Sequence, residues 1–500
     1  MFSNKSSAVL FQTIISSLLG YISLFFINRY VGTVYWGYLS YAIAFGGLFS
    51  IVTDFGFNTA HLKFISGESD KREDMGTYLL IKIVLNVIYI GLVVGSLLFW
   101  TYALRRGFQN PIEFWAIISI IPYFSFINMI PFFNSYFRST MQSYKIAVPR
   151  LIESVFRNGI FIVIGVIYFL GREGTIGASI TVLLALIYGL AYFIYMFILY
   201  LFGRPWDIGK ASMTSIKKYI KFALPLAFAT SLGIVNGNID KIIVQFFWGA
   251  VATGALYTDQ KLVSIIGSLL GPISMFILPM LVRDLGDDKL VRDKKIIEYE
   301  RIMSLISAPF ALIFFFLSPF ILNLYNGRYL MYATSLSIIS VGTYIGAITG
   351  PFSTAIIARG RQQLVAWISM VGIFVNIALN IILIPTELFG IRLGSLGVEG
   401  ATISFTVSAL VVYILYKEIY RRVNDTRTRS VTLKHIFISL PTGIILLLSA
   451  VYIKPYSFVL LFPIILSVLL IYTGMSIAFN EISIKQIKEI ISNLIPRKNN

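Results

Sequence analysis

The sequence predicts an all-α, polytopic membrane protein of about 14 transmembrane helices, built as two six-helix bundles followed by a C-terminal helix pair. Three observations carry this. Fourteen apolar stretches succeed one another with only short segments between them; the composition is 57% hydrophobic and 13% charged, with a mean hydropathy of +0.81; and the two halves repeat each other. Soluble domains average about 25% charged residues, so a soluble protein is excluded. A spanning helix takes about 20 apolar residues. On that measure the spans lie near residues 8 to 28, 37 to 58, 77 to 103, 112 to 133, 148 to 170, 176 to 202, 222 to 247, 254 to 281, 302 to 325, 331 to 357, 364 to 385, 396 to 416, 433 to 453 and 456 to 479.

The formal net charge of +18 would suggest a nucleic-acid partner in a soluble protein, but here the 41 Lys and Arg residues set topology. With a cytoplasmic N-terminus, 30 of them fall on inner segments, among them Lys63, Arg138, Lys217, Lys218, Arg359 and Arg421. Seven fall on outer ends: Arg29, Arg105, Arg106, Arg172, Arg328, Arg392 and Lys454. This asymmetry follows the positive-inside rule and predicts a protein of the cytoplasmic membrane with both termini inside. The first apolar run is long and lacks a small-residue cleavage pattern, so it reads as a signal anchor. The chain has no Cys, which removes disulfides, thiolate metal sites and cysteine nucleophiles.

The stretch YVGTVYWGYLSYA, residues 30 to 42, matches FWGAVATGALYTD, residues 247 to 259, at an offset of 217 that places Gly32 and Gly37 on Gly249 and Gly254. GTIGASI from Gly174 reappears as GVEGATI from Gly397, and Arg138 with Gln142 reappears as Arg359 with Gln363. The expected organisation is therefore a six-helix bundle over 1–202, a basic linker over 203–221, a second bundle over 222–416, an extra helix pair over 417–480 and an interfacial cytoplasmic helix over 481–500. Six spans per half is an even number, so the pseudo-two-fold should run along the membrane normal, and repeats so related bind substrate at their interface. Prolines inside spans, at Pro122, Pro131, Pro225, Pro272, Pro279, Pro309, Pro319 and Pro351, add sites where helices bend.

An ionisable side chain near the bilayer centre costs about 2.5–3.5 kcal/mol even on lenient scales, so each needs a partner, a wet cavity or a function. The candidates are Asp54, Lys82, Glu153, Arg157, Asp240, Lys241, Asp259 and Lys261, with Arg29 near the outer end of span 1. Glu153 and Arg157, four apart, can pair on one helical face. Asp240 with Lys241 and Asp259 with Lys261 stand at spacings where helix side chains diverge, so these lysines are expected to lack partners within their own helices. Arg29, Lys241 and Lys261 would then line the outer half of a central cationic cavity, with Lys82 nearer the cytoplasmic mouth and Arg157 a further candidate; such a cavity attracts phosphate or pyrophosphate. Asp54, Asp240, Asp259 and Glu153 are candidate ion-coupling or structural carboxylates. Intramembrane amides such as Asn86, Asn236, Asn238, Gln245, Asn376 and Asn380, with 29 Tyr and six Trp, suit a sugar, although for any single residue an interhelical hydrogen bond or a place in an interfacial belt is the stronger reading. His61 and His435 are the two histidines, both at span ends. No zinc-protease, nucleotide-loop or nucleophile-elbow motif is present, so neither an enzyme nor a cofactor is expected.

The run RYVGTVYWGYLSYAIAFGGLFSIVTDFGFNTA, with its two spaced glycines and Asp54 to Gly56, resembles the Wzx-type polysaccharide flippases of the multidrug/oligosaccharidyl-lipid/polysaccharide exporter superfamily. So does YIKFALPLAFATSLGIVNGNIDKIIVQFFWGAVATGALY, and the resemblance extends over the whole chain in span number and halves. It implies two bundles that alternate between inward and outward states and carry a lipid-linked oligosaccharide, for O-antigen-like surface glycans, through a cationic cavity while the polyprenyl tail stays in lipid. Of the candidate residues, only Asp240 and Lys241 fall on motif positions; the others rest on the reading of the spans. Membrane lipids and other polysaccharide-assembly proteins are the implied partners. A lipid II flippase shares this architecture. A cation exporter of the superfamily should carry acidic cavity residues, and a membrane glycosyltransferase or polymerase should carry a large outer loop, which the short loops disfavour.

Overall fold

The computed structural model describes residues 4–66, 71–103, 108, 110–140, 142–171, 179–203, 208–283, 289–424, 432–479 and 481. Helices dominate: α1 Asn4–Phe26, α2 Thr33–Phe49, α3 Ile51–Asp54, α4 Phe57–Ile65, α5 Lys71–Leu98, α6 Pro111–Ser139, α7 Tyr144–Phe169, α8 Ile180–Phe202, α9 Met213–Arg283, α10 Lys289–Tyr325, α11 Ala333–Ala358, α12 Gln362–Leu383, α13 Gly397–Asn424, α14 Thr432–Leu448 and α15 Phe458–Ala478. Each of the fourteen expected apolar stretches is largely helical where it is described, and the chain is a multi-pass membrane protein. By length and apolarity, eleven helices among the described residues can cross a bilayer, or twelve when α2 is joined to its bent continuation Ile51–Ile65.

Two features separate that number from fourteen. First, α9 consists of two helices that meet at a kink at Gly249 (φ 79, ψ −173), so what the sequence reads as two spans counts as one continuous element. Second, the apolar stretch Ile438–Ile453 is short. The other departure from an all-helical reading is a hairpin between Glu387–Leu388 and Ile391–Arg392, where Phe389 (φ 52) and Gly390 (φ 81) make the tight two-residue turn. The interfacial helix expected over 481–500 lies outside the described residues from 482 onward.

The glycines that the repeat aligns share a backbone conformation. Gly32 has φ 118 and ψ 152 and follows the π-helical turn Ile27–Val31, while Gly249 interrupts α9 in the same glycine-only region. Each divides one apolar run from the next. The second glycine of the motif serves close approach: a Cβ at Gly37 would collide with the backbone carbonyl of Ala250, so α2 lies against the α9 break with no room for a side chain. Prolines 122, 131, 309, 319 and 351 all sit inside helices as expected.

The chain divides into two compact units, residues 2–254 and residues 255–500. In the first, α6 packs on α8, α2 and α5, and α7 packs on α1 and α8. The basic linker is part of this unit. Gly209 donates its N–H to the Arg72 carbonyl at 2.8 Å, Ser215 donates to Glu73 at 2.6 Å, and the Tyr219 hydroxyl lies 2.8 Å from His61 Nδ1. Burial, reinforced by the Asp74 carboxylate, pushes the Tyr219 phenol up, so the hydroxyl keeps its proton. In the second unit, α11 packs between α10 and α13, α12 lies against α13, and α14 and α15 pack on α10.

Candidate functional site

The sequence-predicted ionisable groups within the spans of the first unit occur in three places. Near the break in span 2, Phe55 (φ 38) and Gly56 (φ 83) turn the chain between α3 and α4. The Asp54 carboxylate accepts the Asn58 N–H at 3.2 Å and so starts α4. Lys82 reaches across from α5, 2% exposed, and donates to the Thr53 carbonyl at 2.7 Å, close enough to Asp54 to interact electrostatically. The helix-end carbonyls that the break frees are thus met by a cation. Below it, His61 stacks on Tyr78 with ring centroids 3.8 Å apart, and Tyr78 donates to Asn58 at 2.6 Å.

On α7, Arg157 donates to Glu153 at 2.6 Å and to Asn158 at 3.3 Å, with its guanidinium 4.8 Å from the centre of the Tyr188 ring. Asn158 in turn accepts from Ser23 of α1 at 2.7 Å. This is the pairing expected from the i,i+4 spacing, extended into a network that ties α7 to α1 and α8.

On α9, Lys241 is 4% exposed, and its ammonium donates to the Gly237 carbonyl at 2.7 Å and contacts Asp240 Oδ1 at 3.1 Å. This corrects the expectation that Lys241 lacks a partner in its own helix. The Cβ vectors of adjacent helical residues do diverge, but a four-carbon stem is long enough to fold back over the preceding turn and meet the neighbouring carboxylate. Arg29, the fourth candidate cation of this unit, is exposed on the π-helical turn Ile27–Val31.

In the second unit, Asp259 is fully buried and accepts a hydrogen bond from Ser335 of α11, and Glu399 of α13 is near enough to act on it electrostatically. It has no ion pair among the described residues. Lys261 is exposed, its ammonium 5.1 Å from the centre of the Tyr257 ring. The expectation for Lys261 is therefore also corrected, because an aromatic face one turn back on its own helix receives the charge.

Among the buried carboxylates that escaped the sequence reading, Asp74, Glu113, Glu300 and Glu481, one lies against a cavity. Glu113, 3% exposed on α6, accepts a hydrogen bond from Gln245 of α9 at 3.3 Å. Its position explains the omission. Asn110 caps α6 through the Ile112 N–H at 2.9 Å and Pro111 opens the helix, so an acidic residue in the first turn reads as an ordinary complement to the helix dipole. Its span-end position and the intramembrane glutamine facing it were the signals that could have found it.

Residues 3–284 match the polysaccharide biosynthesis protein family. The chain belongs to that family. A curated relative, the capsular polysaccharide biosynthesis protein CapF of Staphylococcus aureus, is 28% identical over 223 residues, 42% of this chain and 52% of that protein, so the similarity spans about half of the relative's length. Among solved structures, the lipid II flippase MurJ in an inward closed conformation superposes with a TM-score of 0.71 at 14% identity, covering 96% of this polysaccharide biosynthesis family member and 99% of MurJ. An inward-facing multidrug resistance transporter of the MOP superfamily superposes with a TM-score of 0.57 at 13% identity, covering 85% and 97%. The family member thus shares its fold with these two solved proteins.

Proposed function

We propose that this protein carries a polyprenyl-(pyro)phosphate-linked oligosaccharide across the cytoplasmic membrane by alternating access, in the synthesis of a cell-surface polysaccharide. The observation that carries the reading is Lys241. In a chain of the polysaccharide biosynthesis family, a lysine within an apolar helix is held at 4% exposure by one carbonyl and one carboxylate. An ammonium has three donors, and two are committed here, so a phosphate oxygen entering beside it can gain a charge-assisted hydrogen bond. Arg29 and Lys261, exposed rather than buried, and Lys82 and Arg157, sealed in their own networks, rank behind it as phosphate ligands. Asp240 sets the resting position of the Lys241 ammonium, and Asp54, Glu153 and Asp259 act within the packing described.

The test is glycan export in cells lacking the native protein. Lys241→Ala should cut export about 10- to 100-fold at unchanged membrane abundance, the size of a lost charge-assisted hydrogen bond, and Lys241→Arg should retain part of it. Wild-type export by Lys241→Ala would remove the phosphate-binding role. The orientation is checked separately, aided by the natural absence of Cys. Cysteines placed at Gly171 and Phe389 should react with an impermeant thiol reagent from outside intact cells, and cysteines at Lys217 and Gly360 should not; the reverse pattern would invert the topology.

A further inference from the structure

The first unit contains a partly open cavity of about 800 Å³ lined by α2, α5, the π-helical turn Phe99–Ala103, Phe108, α6 and α9. Ligand sites run from about 300 to 1,000 Å³, and this cleft falls within that range. Half of its lining is aromatic, including Tyr41, Phe45, Trp100, Phe108 and Phe246. Set among those rings are the Glu113 carboxylate and the Gln245 amide, both 3% exposed, with Ser96 beside them. The hydrogen bond from Gln245 is the side-chain hydrogen bond to Glu113 among the described residues. A carboxylate offers about four lone-pair sites, so most of its accepting capacity is unused, at a cost that burial makes real.

The occupant that fits has flat apolar faces to lie on aromatic rings and a rim of O–H donors to satisfy a carboxylate. A pyranose has both. A lipid acyl chain would match the rings but leave Glu113 unanswered, and Gln245, Ser96 and Tyr41 add mixed donors and acceptors that a hydrocarbon cannot use. The lining also continues the phosphate-binding helix: Ile242, Gln245 and Phe246 belong to α9, and Ile242 directly follows Lys241. A saccharide joined to phosphate at Lys241 has the cavity as its neighbour.

We infer that this cavity is the saccharide subsite of the transported head group, with Glu113 accepting from ring hydroxyls and Trp100 and Phe45 stacking on the sugar faces. The inference rests on the flippase reading of the previous subsection and adds where the sugar, as distinct from the phosphate, is recognised.

The test uses the full-length protein in detergent and two ligands: the lipid-linked saccharide extracted from host cells depleted of this protein, and the bare polyprenyl diphosphate of the same host. Binding is followed by microscale thermophoresis. The unaltered protein should bind the saccharide-bearing lipid about tenfold more tightly or better, an advantage of about 1.4 kcal/mol. Glu113→Gln, Trp100→Leu and Phe45→Leu should each erase most of that margin and leave the affinity for bare polyprenyl diphosphate unchanged, which also shows that the variants are folded. Equal affinity for the two lipids in the unaltered protein, or variants that weaken both ligands alike, would overturn the sugar subsite while leaving the flippase reading in place. If the unaltered protein binds neither lipid, the flippase reading fails and the subsite falls with it.

Discussion

The Asp240–Lys241 pair of the first unit and the Asp259–Lys261 pair of the second share a sequence pattern, an acid and a base close together on an apolar helix, and they fold in opposite ways. In the first pair both side chains turn inward and meet at 3.1 Å. In the other the acid is buried against Ser335 and the base is exposed over Tyr257. One residue of spacing decides the outcome. Adjacent residues can share a local environment through a flexible stem, whereas residues two apart are rotated about 200° and must face different ones. A buried pair and a separated pair should therefore respond differently when either member is changed.

The largest expected difference is in stability. Asp240→Asn leaves the Lys241 ammonium buried without its carboxylate and should cost about 3–5 kcal/mol, read as a lower melting temperature in detergent. Asp259→Asn keeps an acceptor for Ser335 and should cost less than about 1 kcal/mol. Equal losses in the two variants would break the comparison. In transport the contrast should be smaller but in the same direction: Lys261→Ala should reduce glycan export by less than Lys241→Ala does, because an exposed cation gives up fewer desolvated contacts, and equal defects would show that both lysines reach the cargo.

The glycines that open the two repeats provide the next test, since both stand at φ values closed to side chains. Gly32→Ala and Gly249→Ala should each cost about 1–3 kcal/mol in thermal stability. A tolerated alanine at one position would mean that the two breaks are not equivalent. The smallest effect is expected when Glu153 and Arg157 are removed together. Removing either should destabilise more than removing both, with a coupling energy of about 0.5–3 kcal/mol in a double-mutant cycle.

Much of the fold was legible because membrane insertion imposes a one-dimensional rule, and fourteen apolar runs had no other stable use. The alignment of Gly32 with Gly249 was equally legible, since a glycine-only backbone conformation leaves its mark on one residue. Glu153 and Arg157 could be read because their partners lie on the same helical face. The remainder of the site depends on contacts that spacing does not encode. Lys82 finds a carbonyl 29 residues away, freed by a break at Phe55 that local propensity does not announce, and Glu113 finds Gln245 across 132 residues. The Lys241 pairing is not encoded in the directions of Cβ atoms, because a four-carbon stem is long enough to fold back over the preceding turn to Asp240.

The stapling of the linker and the packing of α2 against Ala250 also bear on how the protein is made. Judged by the repeat, the first half is complete at residue 202, yet its compact unit closes only at Gly254, after the His61, Glu113 and Gly37 surfaces have each received a piece of α9. During synthesis the first six spans must therefore wait in the bilayer with those polar and close-packing faces uncovered until the seventh arrives. The amino-terminal unit is complete only with that span in place, and a chain truncated at residue 202 would lack the partners of His61, Glu113 and Gly37 although its sequence repeat is finished.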